Sequence, residues 1–184
     1  GLKIVVPSSV EDAQNLLYSA LYDPNPVLVF EHKKLYRSIR SVTPDFCTPE
    51  ELGKAKVKRE GTDASIITYG MGVHWAQDIA QQYAKNGINL EIVDLRTLAP
   101  LDFETVKKSV KKTNKVLLLQ EPSQTMGPMS ELSSLISEQC FEDLDAPIMR
   151  CSSFDIPVPF SPKLEKHYLA DSRLEQILDK LIAY

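Results

Sequence analysis

The sequence predicts an α/β protein: a mostly parallel sheet with helices on both faces, preceded by the remnant of a second α/β domain. Three observations carry that prediction. Segments of strand character alternate with segments of helical periodicity along the 184 residues, the order that builds a parallel sheet through crossover connections. The strand segments are nearly continuous apolar runs, as strands covered on both faces must be. Finally, residues 90–102, LEIVDLRTLAPLD, pass from an apolar strand through Arg96 and an apolar loop to Pro100 and Asp102. Asp102 is placed to cap a helix, and a capped helix directly behind a buried strand is the joint of a βαβ unit.

The elements follow in order. Residues 2–6 (LKIVV) read as a buried strand. Pro7-Ser8-Ser9 breaks it, and Ser8 with Glu11 has the spacing of a capping box. Ala13, Leu16, Leu17, Ala20 and Leu21 recur at i, i+3, i+4, i+7 and i+8, the stripe of an amphipathic helix. Asp23-Pro24-Asn25-Pro26 ends it, because proline cannot continue the ladder. Residues 27–30 form a strand expected to pair parallel to the first. Residues 33–53 have weak periodicity, two prolines and a short capped turn at Thr48-Pro49-Glu50-Glu51, and read as an extended linker.

A second series starts with a strand at 64–69 and the turn Gly70-Met71-Gly72. A helix follows with Ala76, Ile79, Ala80 and Tyr83 on one face, capped by Asn86-Gly87. Next come a strand at 90–93 and the helix from Asp102, with Phe103, Val106 and Val110 inward. A strand at 116–120 leads to a helix carrying Met129, Leu132, Leu135 and Ile136. A strand at 148–151, a crossing rich in proline (Pro157, Pro159, Pro162) and a last helix complete the chain. Ser172 and Glu175 are placed to cap that helix, and Leu174, Ile177, Leu178, Leu181 and Ile182 form its inner face. The organisation is therefore a remnant unit at 1–37, a linker at 38–53 and a complete domain at 54–184. Two strands and one helix are too little to bury a core. With an apolar strand opening at residue 2, the expectation is the C-terminal part of a longer polypeptide.

Composition narrows the function classes. Apolar content of 43% and charged content of 25% are those of a globular protein. A net charge of −4 leaves no electrostatic footprint for nucleic acid. No apolar run reaches the roughly 18 residues of a membrane span. Cys47, Cys140 and Cys151, odd in number and far apart, are expected as reduced thiols in a cytoplasmic or matrix-type compartment.

Gly70-Met71-Gly72 with Asp94 imitates a dinucleotide fingerprint, but Trp75 stands where a third glycine would permit close packing, so a tight βα turn is favoured. His32, His74 and His167 lack metal-ligand spacing. His74, in a βα turn, is the best placed of the three to face a cleft, against the blander reading of a solvated residue. Lys107, Lys108, Lys111, Lys112 and Lys115 read as a solvated helix end favoured by the dipole. Asp23, Asn25 and the carbonyls of the helix end before them collect hard oxygens suited to a cation, though both are also ordinary turn residues.

Five stretches resemble, in the same order, the beta subunits of thiamine-diphosphate-dependent 2-oxoacid dehydrogenases. Residues 1–9 (GLKIVVPSS) with Asp12-Ala13-Gln14-Asn15-Leu16-Leu17 are similar to that family's PGLKVV-type strand and its helix. The other stretches are residues 23–37 (DPNPVLVFEHKKLYR), 52–70 (LGKAKVKREGTDASIITYG), 92–102 (IVDLRTLAPLD) and 145–161 (DAPIMRCSSFDIPVPFS). Gln120-Glu121-Pro122 stands at a family turn. The form of residues 30–37 leans towards the branched-chain (2-oxoisovalerate) type. Two departures are the single glycine in Ser123-Gln124-Thr125-Met126-Gly127 and Cys151 in place of valine.

The resemblance implies a transketolase-type C-terminal domain at 54–184 and a piece of the pyrimidine-binding domain at 1–37. The parent reaction would be oxidative decarboxylation of a branched-chain 2-oxoacid or pyruvate on thiamine diphosphate with magnesium, with acyl transfer to lipoamide. The family's catalytic and cofactor-binding residues lie upstream of the position matching Gly1 or in the alpha partner. No catalytic or cofactor-binding residue is therefore expected in this chain, which alone is expected to be inactive. Ala20, Asp23 and Asn25 match part of a potassium site. The implied partners are an alpha subunit or alpha region, a second beta copy and the acyltransferase core, docked near Glu165, Asp171, Asp179 and Tyr184. The implied location is the bacterial cytoplasm or the mitochondrial matrix. Another transketolase-superfamily enzyme, or a non-catalytic α/β binding module, is the alternative.

Overall fold

Apolar side chains at alternate strand positions leave both faces of one sheet to be covered. Ala64, Ile66, Leu90, Ile92, Leu117 and Leu119 point to one face. Ile67, Val93, Val116 and Leu118 point to the other. In the computed structural model, which describes residues 1–41 and 46–184, these positions form a five-stranded sheet of order β3-β5-β4-β7-β8. Its strands are β3 (Lys56–Arg59), β4 (Ala64–Thr68), β5 (Leu90–Asp94), β7 (Val116–Ser123) and β8 (Met149–Ser153). β4 pairs parallel with β5 and β7, and β7 parallel with β8, while β3 lies antiparallel on the edge beside β5. Helices α3 (Met71–Ala84) and α7 (Asp171–Ile182) cover the first face. Helices α4 (Phe103–Thr113) and α5 (Pro128–Gln139) cover the second.

The N-terminal segment contributes β1 (Lys3–Val5), α1 (Val10–Leu21), β2 (Val27–Val29) and the short α2 (Leu35–Ser38). β1 and β2 pair parallel, as the crossover helix predicts, in the register Lys3↔Val27 to Val5↔Val29. The other neighbour of β1 is β6 (Thr97–Ala99), antiparallel, from the chain just after β5. The second sheet is thus shared between the N-terminal segment and the later domain. α6 (Pro162–Tyr168) lies before α7.

Several local expectations are corrected. The cap of α1 is Ser9 and not Ser8: its Oγ accepts the Asp12 amide at 3.1 Å and donates to Asp12 Oδ2 at 2.6 Å. Ser8 is instead drawn away to Asp94. The stripe on α1 is only partly buried: Leu16 is fully covered, whereas Leu17 and Leu21 are exposed and Asp12 and Asn15 are buried beside Leu16. The predicted linker contains α2. Its turn at residues 48–51 is irregular chain laid along α1, with the Thr48 amide on Asn15 Oδ1 (3.0 Å) and the Glu50 amide on Ser19 Oγ (2.9 Å). The linker residues 42–45 lie outside the described residues. The apolar loop after Arg96 is β6, and the proline-rich crossing contains α6, where Pro162 occupies the first helical turn that tolerates it. The last helix begins without a side-chain cap. Ser172 Oγ donates back to the carbonyls of His167 and Leu169, and the helix stops at Ile182, two residues before Tyr184. Asp102 does cap α4, accepting the Thr105 amide at 3.2 Å. β3 carried no apolar signal, because Lys56, Lys58 and Arg59 dominate it.

Candidate functional site at the carboxyl ends of the strands

From β4 the chain moves outward to β5 on one side, then returns to β7 on the other. The strand order therefore reverses between β4 and β7. In open α/β sheets, ligands lie in the crevice outside the carboxyl ends of the strands at such a point. Here Tyr69, Gly70 and Met71 follow β4, and Glu121 and Pro122 lie towards the end of β7. They line a cleft of about 420 Å³ whose opposite wall comes from the N-terminal segment. Gly70 begins α3 at φ +55°, a left-handed turn suited to glycine.

His32, just past β2, crosses to this point. Its Nε2 lies 2.8 Å from Glu121 Oε2, while its Nδ1 is buried with no partner among the described residues. Tyr69 is pushed up to about 12, first by burial and then by the Glu121 charge. Glu31 accepts the Tyr36 hydroxyl at 2.7 Å. His32 also lines two neighbouring clefts. One, of about 510 Å³, runs between the start of α1 and α2, and the other, of about 680 Å³, lies towards α6. Sequence reasoning weighed His74 as the cleft histidine. His74 instead holds the Ser8 carbonyl at 2.7 Å. His32 carried no usable sequence signal, because its partner is 89 residues away.

A buried charge network fastens the N-terminal segment below this cleft. Asp12 lies 2.5 Å from Lys58 Nζ and accepts Arg96 Nη1 at 3.1 Å, and Arg96 also meets Glu50. Burial pushes the Asp12 carboxyl up, but bonds from Lys58, Ser9 and Arg96 outweigh it and hold it below the usual range. Asp94 accepts Ser8 Oγ at 2.5 Å and the Arg96 amide at 3.1 Å. It is raised to about 6, chiefly by burial. Asp94 is thus committed to internal bonds rather than open to a ribose, and Trp75 packs in the core, which agrees with a tight turn at residues 70–72.

The predicted cation residues are close together, but their donors are engaged. Asp23 bonds Lys3 Nζ and accepts the Asn25 amide at 2.9 Å, and the Ala20 carbonyl receives the Tyr22 and Asp23 amides. Among the described residues no group of three or more His, Cys, Asp or Glu could hold a metal ion. Of the predicted docking residues, Glu165 and Asp171 line the groove towards α6. Asp179 is apart from them and accepts the Tyr83 hydroxyl, and Tyr184 is exposed. Lys112 of the basic run pairs with Glu60 and Glu91. Cys140 and Cys151 are buried free thiols. No helix among the described residues is long and apolar enough to cross a membrane.

Comparison with known proteins agrees with this architecture. Residues 53–173 match the family described as transketolase, C-terminal domain. The chain is 48% identical over 174 residues to the 2-oxoisovalerate dehydrogenase subunit beta of Bacillus subtilis (strain 168), covering 93% of this chain and 53% of that protein. It is 45% identical over 161 residues to the pyruvate dehydrogenase E1 component subunit beta of the same strain, covering 88% and 50%. A solved structure titled "Split gene transketolase, inactive beta4 tetramer" shares the fold with a TM-score of 0.79 at 23% identity, over 99% of this chain and 57% of that one. The chain spans about half the length of the curated relatives it matches. Its sheet order, its helices on both faces and the match over residues 53–173 place it in one family: the chain belongs to the transketolase C-terminal domain family.

Proposed function

We propose that this chain serves as part of the beta subunit of a thiamine-diphosphate-dependent 2-oxoacid dehydrogenase, of the branched-chain (2-oxoisovalerate) type. The observation that carries the reading is the similarity to the Bacillus subtilis 2-oxoisovalerate dehydrogenase subunit beta along nearly the whole chain. The parent reaction is oxidative decarboxylation of the 2-oxoacid with acyl transfer to lipoamide.

The described residues do not fit the diphosphate and magnesium of that cofactor. They offer no cluster of metal-ligating side chains, and the charged residues of the cleft between β4 and β7 are the acids Glu31 and Glu121, beside His32. No catalytic step is therefore assigned to this chain. Its part is assembly with an alpha subunit and a second beta copy, through the apolar side chains left exposed on α1 and β2 and around residues 154–164. The acyltransferase core docks near Glu165, Asp171, Asp179 and Tyr184. A potassium ion at Ala20, Asp23 and Asn25 requires Asp23 to exchange Lys3 for the ion, with further ligands from outside this chain. The buried thiols suit a reducing compartment, bacterial cytoplasm or mitochondrial matrix.

The test is a graft. This chain replaces the matching part of the Bacillus subtilis beta subunit, co-expressed with its alpha subunit. Decarboxylation of 3-methyl-2-oxobutanoate by the hybrid is expected. A soluble, assembled hybrid with no activity on that or any other 2-oxoacid overturns the proposal.

A further inference from the structure

The crevice between β4 and β7 is built like a ligand site, and its wall chemistry selects one class. Its apolar surface comes from Ile4, Val6, Phe30, Tyr69, Met71 and Leu98. Its charged lining is Glu31 and Glu121, with His32, and it contains neither Lys nor Arg. A carboxylate only accepts, so His32 Nε2 donates to Glu121. The polar corner thus presents carboxylate oxygens and negative charge, beside an aromatic and aliphatic floor. The Glu121 side chain is 34% exposed, so its carboxylate is accessible from the crevice.

We propose that this crevice binds a small primary amine with an apolar tail. The ammonium group docks on Glu121 in competition with His32, and the tail lies between Phe30, Met71 and Leu98. Three N–H donors on one cation match a corner of acceptors, and desolvated charge-assisted bonds are the strong kind. The tail contributes by burial of apolar surface. Because the walls come from both the N-terminal segment and the later domain, the amine also bridges the two. The inference stands apart from the proposed parent reaction.

The test uses the 184-residue chain with 2-phenylethylamine as the probe, and 2-phenylethanol and phenylacetate as neutral and anionic controls, followed by amide NMR and calorimetry. Saturable shifts at Gly70, Met71 and Phe30 are expected with the amine and not with phenylacetate. Glu121→Gln should weaken the amine about tenfold and leave 2-phenylethanol unaffected. His32→Ala, which removes the competing donor, should bind the amine more tightly. If Glu121→Gln perturbs folding, Phe30→Ser, at a half-exposed position, replaces it with the same expected loss of amine. Equal binding of amine and phenylacetate overturns the proposal. So does amine binding unchanged in both Glu121→Gln and Phe30→Ser, or no saturable binding of the amine.

Discussion

Arg96 donates through Nη1 to Asp12 Oδ1 at 3.1 Å, and this contact ties the first helix of the chain to the loop that follows β5. Both side chains are buried, and Lys58 completes the charge balance from β3. Arg96 holds a positive φ of 54°, an uncommon setting for a residue with a Cβ. The backbone there is fixed by the Arg96 amide on Asp94 and by the Arg96 carbonyl on Val6.

Removing one member of that network leaves buried cations under-paired. Asp12→Ala should therefore destabilise the protein by about 3 kcal/mol or more. Urea unfolding measures it. A loss below about 1 kcal/mol would show that the network behaves like a surface pair.

The pH dependence of stability follows from two acids with opposite shifts. Asp94, raised to about 6 by burial, contributes stability that is present below its unfolded value and lost as pH rises through about 6. Asp12, lowered, contributes stability that is present above its unfolded value and lost as pH falls towards its folded one. Their joint optimum lies at about pH 4, where the Asp12 contribution is complete and the Asp94 contribution is not yet lost. Between pH 5 and 8 the Asp94 contribution should fall by about 1.4 kcal/mol, one pKa unit's worth, nearly all of it below pH 7. Asp94→Asn should flatten that slope in melts at pH 5, 6, 7 and 8. An unchanged slope in the variant would assign the dependence to other groups.

Gly61 passes so close to β5 that a side chain has no room. A Cβ there would stand 2.2 Å from the Glu91 nitrogen and the Leu90 carbonyl carbon, both backbone. Gly61→Ala should cost about 3 kcal/mol, since overpacking against backbone cannot relax by rotamer change. Circular dichroism melts of the variant would show the lowered midpoint.

The buried domain was legible because its central strands are apolar runs and one of them leads to a helix capped by Asp102. The runs at β4, β5 and β7 and the Asp102 cap carry the mostly parallel sheet, while the strand order comes from the pairings themselves. What was illegible depends on distance. β3 and β6 are strands only because β5 and β1 lie beside them, and neither has local apolar alternation. Ser8 was a fair cap by spacing, but an Asp94 carboxylate 86 residues away claimed it. The His32–Glu121 pair joins two loops that no local pattern connects.

The N-terminal strands should open more readily than the five-stranded sheet. β1 and β2 are three residues each, and Leu2, Leu28 and Phe30 on them or beside them remain exposed, whereas β4 is buried throughout. Local stability follows such packing. Amide hydrogen exchange should find Ile4, Val5 and Leu28 less protected than Ile66 and Ile67. Equal protection in a monomer would mean that the Asp12–Arg96 network and β6 stabilise the segment fully.

The proposed docking of the acyltransferase core near Glu165, Asp171 and Asp179 separates into two parts on this structure. Glu165 and Asp171 share one groove with Lys33, Lys34 and Lys166, and neither forms an ion pair among the described residues, so both are open to arginines of a partner, which pair with carboxylates through charge-assisted bonds. Asp179 is committed to the Tyr83 hydroxyl, so Asp179→Asn should act on the contact between α3 and α7 more than on docking. Tyr184 lies past the end of α7 and is exposed. Glu165→Lys with Asp171→Lys should slow association at low salt and abolish most of its salt dependence. Surface plasmon resonance on the assembled enzyme measures the rate. An unchanged association rate in the double reversal removes the groove from the docking site.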